Sequence, residues 1–311
     1  MVTILLCPGQ GAQKVGMARD LADRFAPAAE TLAAIDAALD APLTPVMWDG
    51  PEERLVETHN TQPAILAHSA AVLAVIRERL AGQVVAAAGH SLGEYSAWVA
   101  AGMLEPTVAA QLVRRRGALM FEAGQRRPGA MAAVLGLEAD AVHAACQSSS
   151  GGDAGVAVAA NLNTPDQTVI SGDPAAVELA GTACQAAGAK RVVALKVSGA
   201  FHSPLMEPAV PGLTEALAAA DFHPPAFPVV ANASAELVGE VATARQLLAD
   251  QLTAPVRWVE SMQLLAARWP DAQWLEIGPG AVLTGLLRKI IPTASCTPLG
   301  TAKDLDAWLA S

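Results

Sequence analysis

An α/β fold is the architecture this sequence predicts, and three observations predict it. Short Val- and Ile-rich runs such as "VTILL", "QVVAAAG" and "QTVISG" supply candidate strands. Long alanine-rich stretches with helical periodicity lie between them, and the chain is 52 % hydrophobic but only 4 % aromatic. Branched residues suit the pleated surface of a strand and alanine suits a helix packed through small side chains. Their alternation implies helices layered on sheet. A chain of 311 residues can hold one large domain with a smaller companion and bury a substantial core.

The elements follow in order. "VTILLCPGQGAQ" reads as a buried strand from Val2 to Leu6, broken at Pro8 and delivered into a loop bounded by Gly9 and Gly11. Helical patterning resumes near Met17. "NTQPAILAHSAAVLAVIRERL" is a long helix with Pro shortly after its polar start, and "QVVAAAGHS" is a strand running straight into a serine turn. "LGEYSAWVAAGML" then reads as a helix. Between Arg126 and Ser198 the texture changes to strand "GAMAAVLGL", helix "EADAVHAACQSS", strands "GVAVAANL" and "QTVISG", helix "DPAAVELAGTACQAAGA" and strand "KRVVALKVS". The order βαββαβ is that of a ferredoxin-like unit. It predicts a small domain over residues 126–198 inserted into a larger one. The chain returns through "GAFHSPLM", a helix to about Ala220, a Pro-rich connection "HPPAFPVVANAS", another helix, a strand at Leu275 to Ile277 and a turn from Gly278 to Gly280 that opens a helix. "QSSSGGDAG" reads as a surface loop.

Composition excludes several function classes. The formal charge of −10 opposes general nucleic-acid binding, which needs a surplus of Lys and Arg to displace counterions from phosphate. The four cysteines, Cys7, Cys146, Cys184 and Cys296, lack the paired spacing of a zinc site and read as free thiols in a reducing compartment. The first apolar run has no basic leader and stops at Pro8, too short for a signal peptide or a membrane span. A soluble cytoplasmic protein with no metal and no membrane attachment is expected.

Chemistry concentrates in "AGHSLGEYSA". Strand, sharp turn and helix around Gly89-His90-Ser91-Leu92-Gly93 is the context a nucleophile elbow requires, its glycines letting the turn tighten without Cβ clashes. Serine is a weak nucleophile at neutral pH and needs a base in hydrogen-bond reach. His90 adjoins Ser91, but neighbouring side chains on a tight elbow point apart. His59, His68, His143 and His223 lie in helical or connecting stretches where a core or surface histidine is the plain reading. His202 follows a strand and the Gly199 turn, a loop position of the kind catalytic groups favour.

The segments "PGQGAQ", "TQPA", "GHSLGEYSA", "RRRGALM", "GAFHSPLM", "QLTAPVRW" and "EIGPG", in that order and at that spacing from Leu6 to beyond Gly280, together resemble the malonyl-CoA:acyl-carrier-protein transacylase family. The resemblance implies a large α/β-hydrolase-like catalytic domain, residues 1–125 and 199–311, interrupted by the ferredoxin-like unit. It implies Ser91 as the acylated nucleophile, His202 as its base, and the Gln251 backbone carbonyl as the group orienting the imidazole. The backbone N–H groups of Gln10 and Leu92 would form the oxyanion hole and Arg116 would hold the malonyl carboxylate. Gln62, Phe201 and Asn232 fall at positions of the substrate pocket. Phe201 before the histidine and Leu92 after the serine match the malonyl-type rather than the methylmalonyl-type pattern. Malonyl-CoA and an acyl carrier protein bearing phosphopantetheine would be the substrates, with no further cofactor and a monomeric enzyme. Arg114 and Arg115 read as a solvated helix face.

Carrier proteins of this kind are acidic, so a local basic patch is needed on an acidic chain. Lys190 with Arg191 and Arg288 with Lys289 are candidates by charge, although isolated solvated pairs are the rule. Three other functions share these motifs in part. A stand-alone acyltransferase of a polyketide assembly line and a malonate decarboxylase subunit would keep the site. A serine thioesterase would use the same elbow, but places its acid before a late histidine and has no use for Arg116.

Overall fold

The computed structural model describes residues 2–311. Its main sheet is assembled from β1 (Thr3–Cys7), β2 (Val84–Gly89) and four strands placed later in the chain. The sequence between them forms a second sheet from β3 (Ala130–Leu135), β4 (Ala157–Thr164), β5 (Gln167–Gly172) and β6 (Arg191–Ala194). The main sheet is completed by β7 (Val229–Val230), β8 (Leu237–Val238), β9 (Gln273–Ile277) and β10 (Cys296–Leu299), in the order β10-β9-β1-β2-β7-β8. All its pairings are parallel except the β7–β8 edge.

Parallel strands are covered on both faces, and β1 shows how the sequence meets that demand. Leu5 and Cys7 join the core under the helix Thr58–Ile76, while Ile4 and Leu6 join a second core under the helices Trp258–Arg268 and Val282–Ile290. The helix Thr58–Ile76 is buried nearly all round, which explains why its apolar residues form no single stripe. It packs against the long helix Pro106–Arg126, and the approach is set by Gly117, where a Cβ would meet His59 Cα at 2.7 Å. "EIGPG" has a structural explanation. The buried Glu276 carboxylate accepts the Leu283 and Thr284 N–H groups at 3.0 and 2.7 Å, capping the first turn of Val282–Ile290.

The second sheet is antiparallel with order β4-β5-β3-β6. One face packs under the helices Ala139–Ser148 and Pro174–Ala186, through Val134, Ile170, Val142 and Val177. The other face, through Met131, Ala133 and Val169, joins the main core. Backbone bonds from Leu162 N–H to Val256 C=O (2.9 Å) and from Val256 N–H to Ala160 C=O (2.8 Å) lock β4 to the main body. The chain segments entering and leaving this unit run side by side, since a Cβ on Gly124 would sit 2.3 Å from Ser198 O and one on Gly129 2.4 Å from Ala200 Cβ.

The structure revises several boundaries. The first strand ends at Cys7 rather than Leu6, and the helix expected near Met17 begins at Arg19 and breaks at Phe25, before Pro27. "KRVVALKVS" forms strand only as far as Ala194; Leu195 N–H makes one last bond to Met131 C=O at 2.9 Å, and Leu195 to Val197 line a cavity. The Pro-rich connection contains the two-residue strand β7, the two-residue strand β8 follows just after it, and "CTPL" is β10. Runs this short carry no period to read.

Candidate active site

The two loops that leave β1 and β2 lie side by side because their strands pair, and they open at the carboxyl ends of the parallel strands, where ligands bind in such sheets. The turn after β2 is built by close approach. A Cβ on Gly89 would sit 1.9 Å from Gly93 C, one on Gly93 2.1 Å from Cys7 O, and one on Gly9 2.3 Å from His90 O. Ser91 itself has φ +50°, a left-handed conformation that a serine adopts only when its surroundings impose it. Asn232 imposes it: its side-chain oxygen accepts the Ser91 N–H at 2.7 Å, and its amide donates to Gly89 C=O at 2.7 Å.

Ser91 Oγ–H donates to His202 Nε2 at 2.7 Å. His202 Nδ1–H donates to the carbonyls of Gln251 (2.9 Å) and Ala254 (3.2 Å), an arrangement that requires the proton on Nδ1 and leaves Nε2 free to accept. Burial, then the nearby Arg116 charge, hold the imidazole down to about 3 despite the two carbonyls, so it rests neutral. His202 also has a positive φ, +57°. His90 plays no part in this contact, its Nε2 meeting Asn163 Oδ1 at 2.8 Å and its ring packing beside Trp258.

Arg116, 1 % exposed, reaches the same point from the helix Pro106–Arg126. Nη1–H donates to Gln62 Oε1 (2.8 Å), and Nη2–H donates to Gln251 Oε1 (2.9 Å) and toward Ser91 Oγ (3.3 Å). Nε–H has no partner. Among the described residues no carboxylate comes within ion-pair distance of Arg116. A buried cation held only by neutral acceptors is a ready receptor for an anion.

A cavity of about 320 Å³ joins these groups, lined by Ser91, His202, Arg116, Phe201, Gln10 and Leu92 among others. The backbone N–H groups of Gln10 and Leu92 make no hydrogen bond within the described residues, and such free donors beside a nucleophile suit a developing oxyanion. Gln62 and Asn232 stand next to the cavity rather than in its wall. Neither lines the cavity: both are buried behind it, Gln62 bonded to Arg116 and Asn232 beneath Ser91. Met120, Met131, Asn161 and Lys196, none singled out from the sequence, do line it. Asn161 arrives through the β4 link to Val256, a pairing no sequence period signals. Arg115 is exposed as expected, but Arg114 is half-buried and donates to Asn60 Oδ1 at 2.5 Å. Lys190, Arg191, Arg288 and Lys289 are exposed and line no part of this cavity. The four cysteines are free. Among the described residues no helix is long and apolar enough to cross a membrane.

The site thus combines an elbow serine on a neutral histidine with a buried arginine in the same cavity. The family described as the acyl transferase domain matches residues 4–308. A malonyl CoA-acyl carrier protein transacylase of Salmonella typhimurium is 41 % identical over 302 residues, 97 % of each chain, and one of Staphylococcus aureus is 39 % identical over 306 residues, 98 % of each. Among solved structures, an acyl carrier protein S-malonyltransferase of Vibrio cholerae superposes with a TM-score of 0.93 at 39 % identity, covering 99 % of this chain and 100 % of the other. A malonyl-transacylase solved in complex with its type II polyketide acyl carrier protein gives 0.93 at 40 % identity, covering 100 % and 99 %. The chain belongs to the acyl transferase domain family, within its malonyl-CoA:acyl-carrier-protein transacylase branch.

Proposed function

We propose that this chain moves a malonyl group from malonyl-CoA to the phosphopantetheine thiol of an acyl carrier protein, by way of a malonyl ester on Ser91. The single observation that carries the reading is the convergence on Ser91 Oγ of His202 Nε2 at 2.7 Å and Arg116 Nη2 at 3.3 Å. His202 takes the Ser91 proton as Oγ attacks the thioester carbonyl. The negative charge on that oxygen is met by the N–H groups of Gln10 and Leu92, two donors each worth roughly 3 kcal/mol in such a site. The intermediate collapses, the C–S bond breaks, and the imidazolium returns its proton to the departing coenzyme A thiol. In the second half, the carrier thiol gives its proton to His202 and attacks the ester, and Ser91 recovers that proton as it leaves. Every proton has a named acceptor, so the scheme calls for no metal or redox cofactor.

Arg116 selects the acyl group, since a free carboxylate entering a buried site needs a planar charged fork to replace its water. Phe201, 6 % exposed and in the cavity wall next to His202, occupies the space an α-methyl branch would need. The exposed Lys196 at the cavity is placed to meet an acidic carrier. Gln62 and Asn232 serve here as supports of Arg116 and Ser91 rather than as pocket walls. We read residues 126–198 as a ferredoxin-like domain inserted into an α/β-hydrolase-like one; the strand order and the adjacent entering and leaving segments support this. Both proposed substrates are cytoplasmic, and the chain is placed there with them.

Incubation with malonyl-CoA, followed by intact mass, tests the reading. A malonyl adduct is expected that is absent in Ser91→Ala and discharged by added holo carrier protein. Methylmalonyl-CoA should load more slowly. An adduct that persists in Ser91→Ala would overturn the assignment of the nucleophile, and equal loading by methylmalonyl-CoA would overturn the role of Phe201.

A further inference from the structure

The nucleophile's base and the carboxylate receptor meet at one residue, Gln251. Its backbone carbonyl holds His202 Nδ1, its side-chain Oε1 accepts from Arg116 Nη2 at 2.9 Å, and its Nε2 donates to Ser91 C=O at 3.0 Å and to Glu94 Oε2 at 2.7 Å. An amide has two flips, and only one presents oxygen to a guanidinium. Ionised Glu94 accepts and never donates, so it takes the amide N–H and directs Oε1 at Arg116. The same Glu94 oxygen accepts the Asn232 backbone N–H at 2.9 Å, which fixes the residue beneath Ser91. Glu94 is 1 % exposed, and among the described residues its Oε1 makes no hydrogen bond of good geometry, the Trp98 side chain being a further donor that favours the carboxylate. The charged or titratable groups facing it are Arg116 from the helix Pro106–Arg126 and Tyr95 from its own helix, with His202 on the far side of Gln251.

Resting on the acyl-transfer reading of Ser91, His202 and Arg116, we propose that Glu94 is a positioning residue of the site: through the Gln251 amide it is the standing counter-charge of Arg116 and holds the support of His202. The chain of contacts is a guanidinium, an amide and a carboxylate in series, an ion pair with a neutral spacer. When a malonyl carboxylate reaches Arg116, two anions flank one cation. Burial pushes the Glu94 carboxyl up to about 7, against the Asn232 and Gln251 donors and the Arg116 charge, so its ionisation changes within the working range. Ionised Glu94 is the form that holds Gln251, and acylation quickens as pH rises through that value.

The test is single-turnover acylation of Ser91 by malonyl-CoA, read by quench and intact mass across pH, in wild type, Glu94→Gln and Glu94→Asp. Wild type should show an ionisation near the carboxyl's value of about 7, while His202, held at about 3, is silent there. Glu94→Gln keeps an acceptor and loses the charge. It should be roughly tenfold slower than wild type about one unit above the midpoint, flat across the range, and within about twofold of wild type about one unit below it. Glu94→Asp should recover a pH-dependent limb. A folded Glu94→Gln with the wild-type limb, or one slowed by the same factor at every pH, would overturn the proposal in favour of a purely structural carboxyl. Should Glu94→Gln not fold, infrared difference spectra of wild type decide. A Glu94 carboxyl band that titrates near neutrality in the free enzyme supports the proposal, and a carboxylate ionised throughout sinks it. A wild-type chain that forms no malonyl adduct would remove the acyl-transfer reading itself, an outcome visible before any variant is made.

Discussion

Ser91 and Arg116 stand 3.3 Å apart and are held in different ways. The serine is fixed mainly by packed backbone, with three glycines that leave no room for a Cβ, a left-handed φ and a helix that starts two residues on, and the side-chain amides of Asn232 and Gln251 pin its N–H and C=O. The guanidinium is fixed by side chains, hanging from Gln62 and Gln251, which are 54 and 135 residues away in sequence. A backbone-built site is stiff, because a shift in any of its atoms meets a hard contact. One built from side-chain amides stays adjustable, and the malonyl carboxylate proposed for it would enter the cluster by exchanging one neutral acceptor for a charged one.

The comparison breaks most sharply at Gly93. Gly93→Ala would drive a Cβ to 2.1 Å from Cys7 O, and should destabilise the chain by about 3 kcal/mol or more while abolishing acylation. Chemical denaturation and intact mass check both. A stable, active Gly93→Ala would show the elbow to be softer than its contacts imply. On the adjustable side, Arg116→Lys keeps the charge and loses the fork, and should leave stability nearly unchanged. Its kcat/KM for malonyl-CoA should fall on the order of a hundredfold, with the rate on acetyl-CoA little altered. Equal losses on both thioesters would place Arg116 in the chemistry rather than in recognition.

The smallest expected effect is on stability against pH. Burial lowers His202 to about 3, His68 to about 4, and His90 below its ordinary value, so the unfolded chain binds more protons at these three residues as pH falls below the histidine range. Glu94 is raised to about 7 and acts in reverse, the folded state holding the extra proton between the ordinary carboxylate value and that point. His202 and His68 by themselves outweigh Glu94, and His90 acts in the same direction, so the balance is a net loss of stability on acidification from about pH 6.5 to 4.5, set by the difference in bound protons between unfolded and folded chains. Melting temperatures over this range should fall, and a flat or rising profile would contradict the burial of neutral imidazoles.

How much was legible follows the same division. The elbow at Ser91 could be read because its cause is local, a strand, two glycines and a helix within ten residues. His202 could be singled out by its place after a strand and a glycine. Arg116, Gln62, Asn232 and Gln251 came only through family resemblance, which gave Gln62 and Asn232 no definite role; the structure puts both just behind the cavity wall. Glu94 sits inside the motif that drew attention first, yet nothing adjacent to it in sequence signals its partners, since Gln251 is 157 residues away. The strands β7, β8 and β10 escaped for a related reason: two to four residues have no period, and pairing with a neighbour makes them strands.

By itself the sequence determined the α/β layering, the two-sheet division and the serine turn, because apolar period, alanine content and glycine placement act over a few residues at a time. Only the tertiary structure decided that the proton on His202 sits at Nδ1, that Arg116 is buried with no ion pair among the described residues, and that one amide, Gln251, ties the two together. Those outcomes depend on donors and acceptors brought together from distant parts of the chain. Desolvation inside the folded core, rather than any local preference, sets their charge.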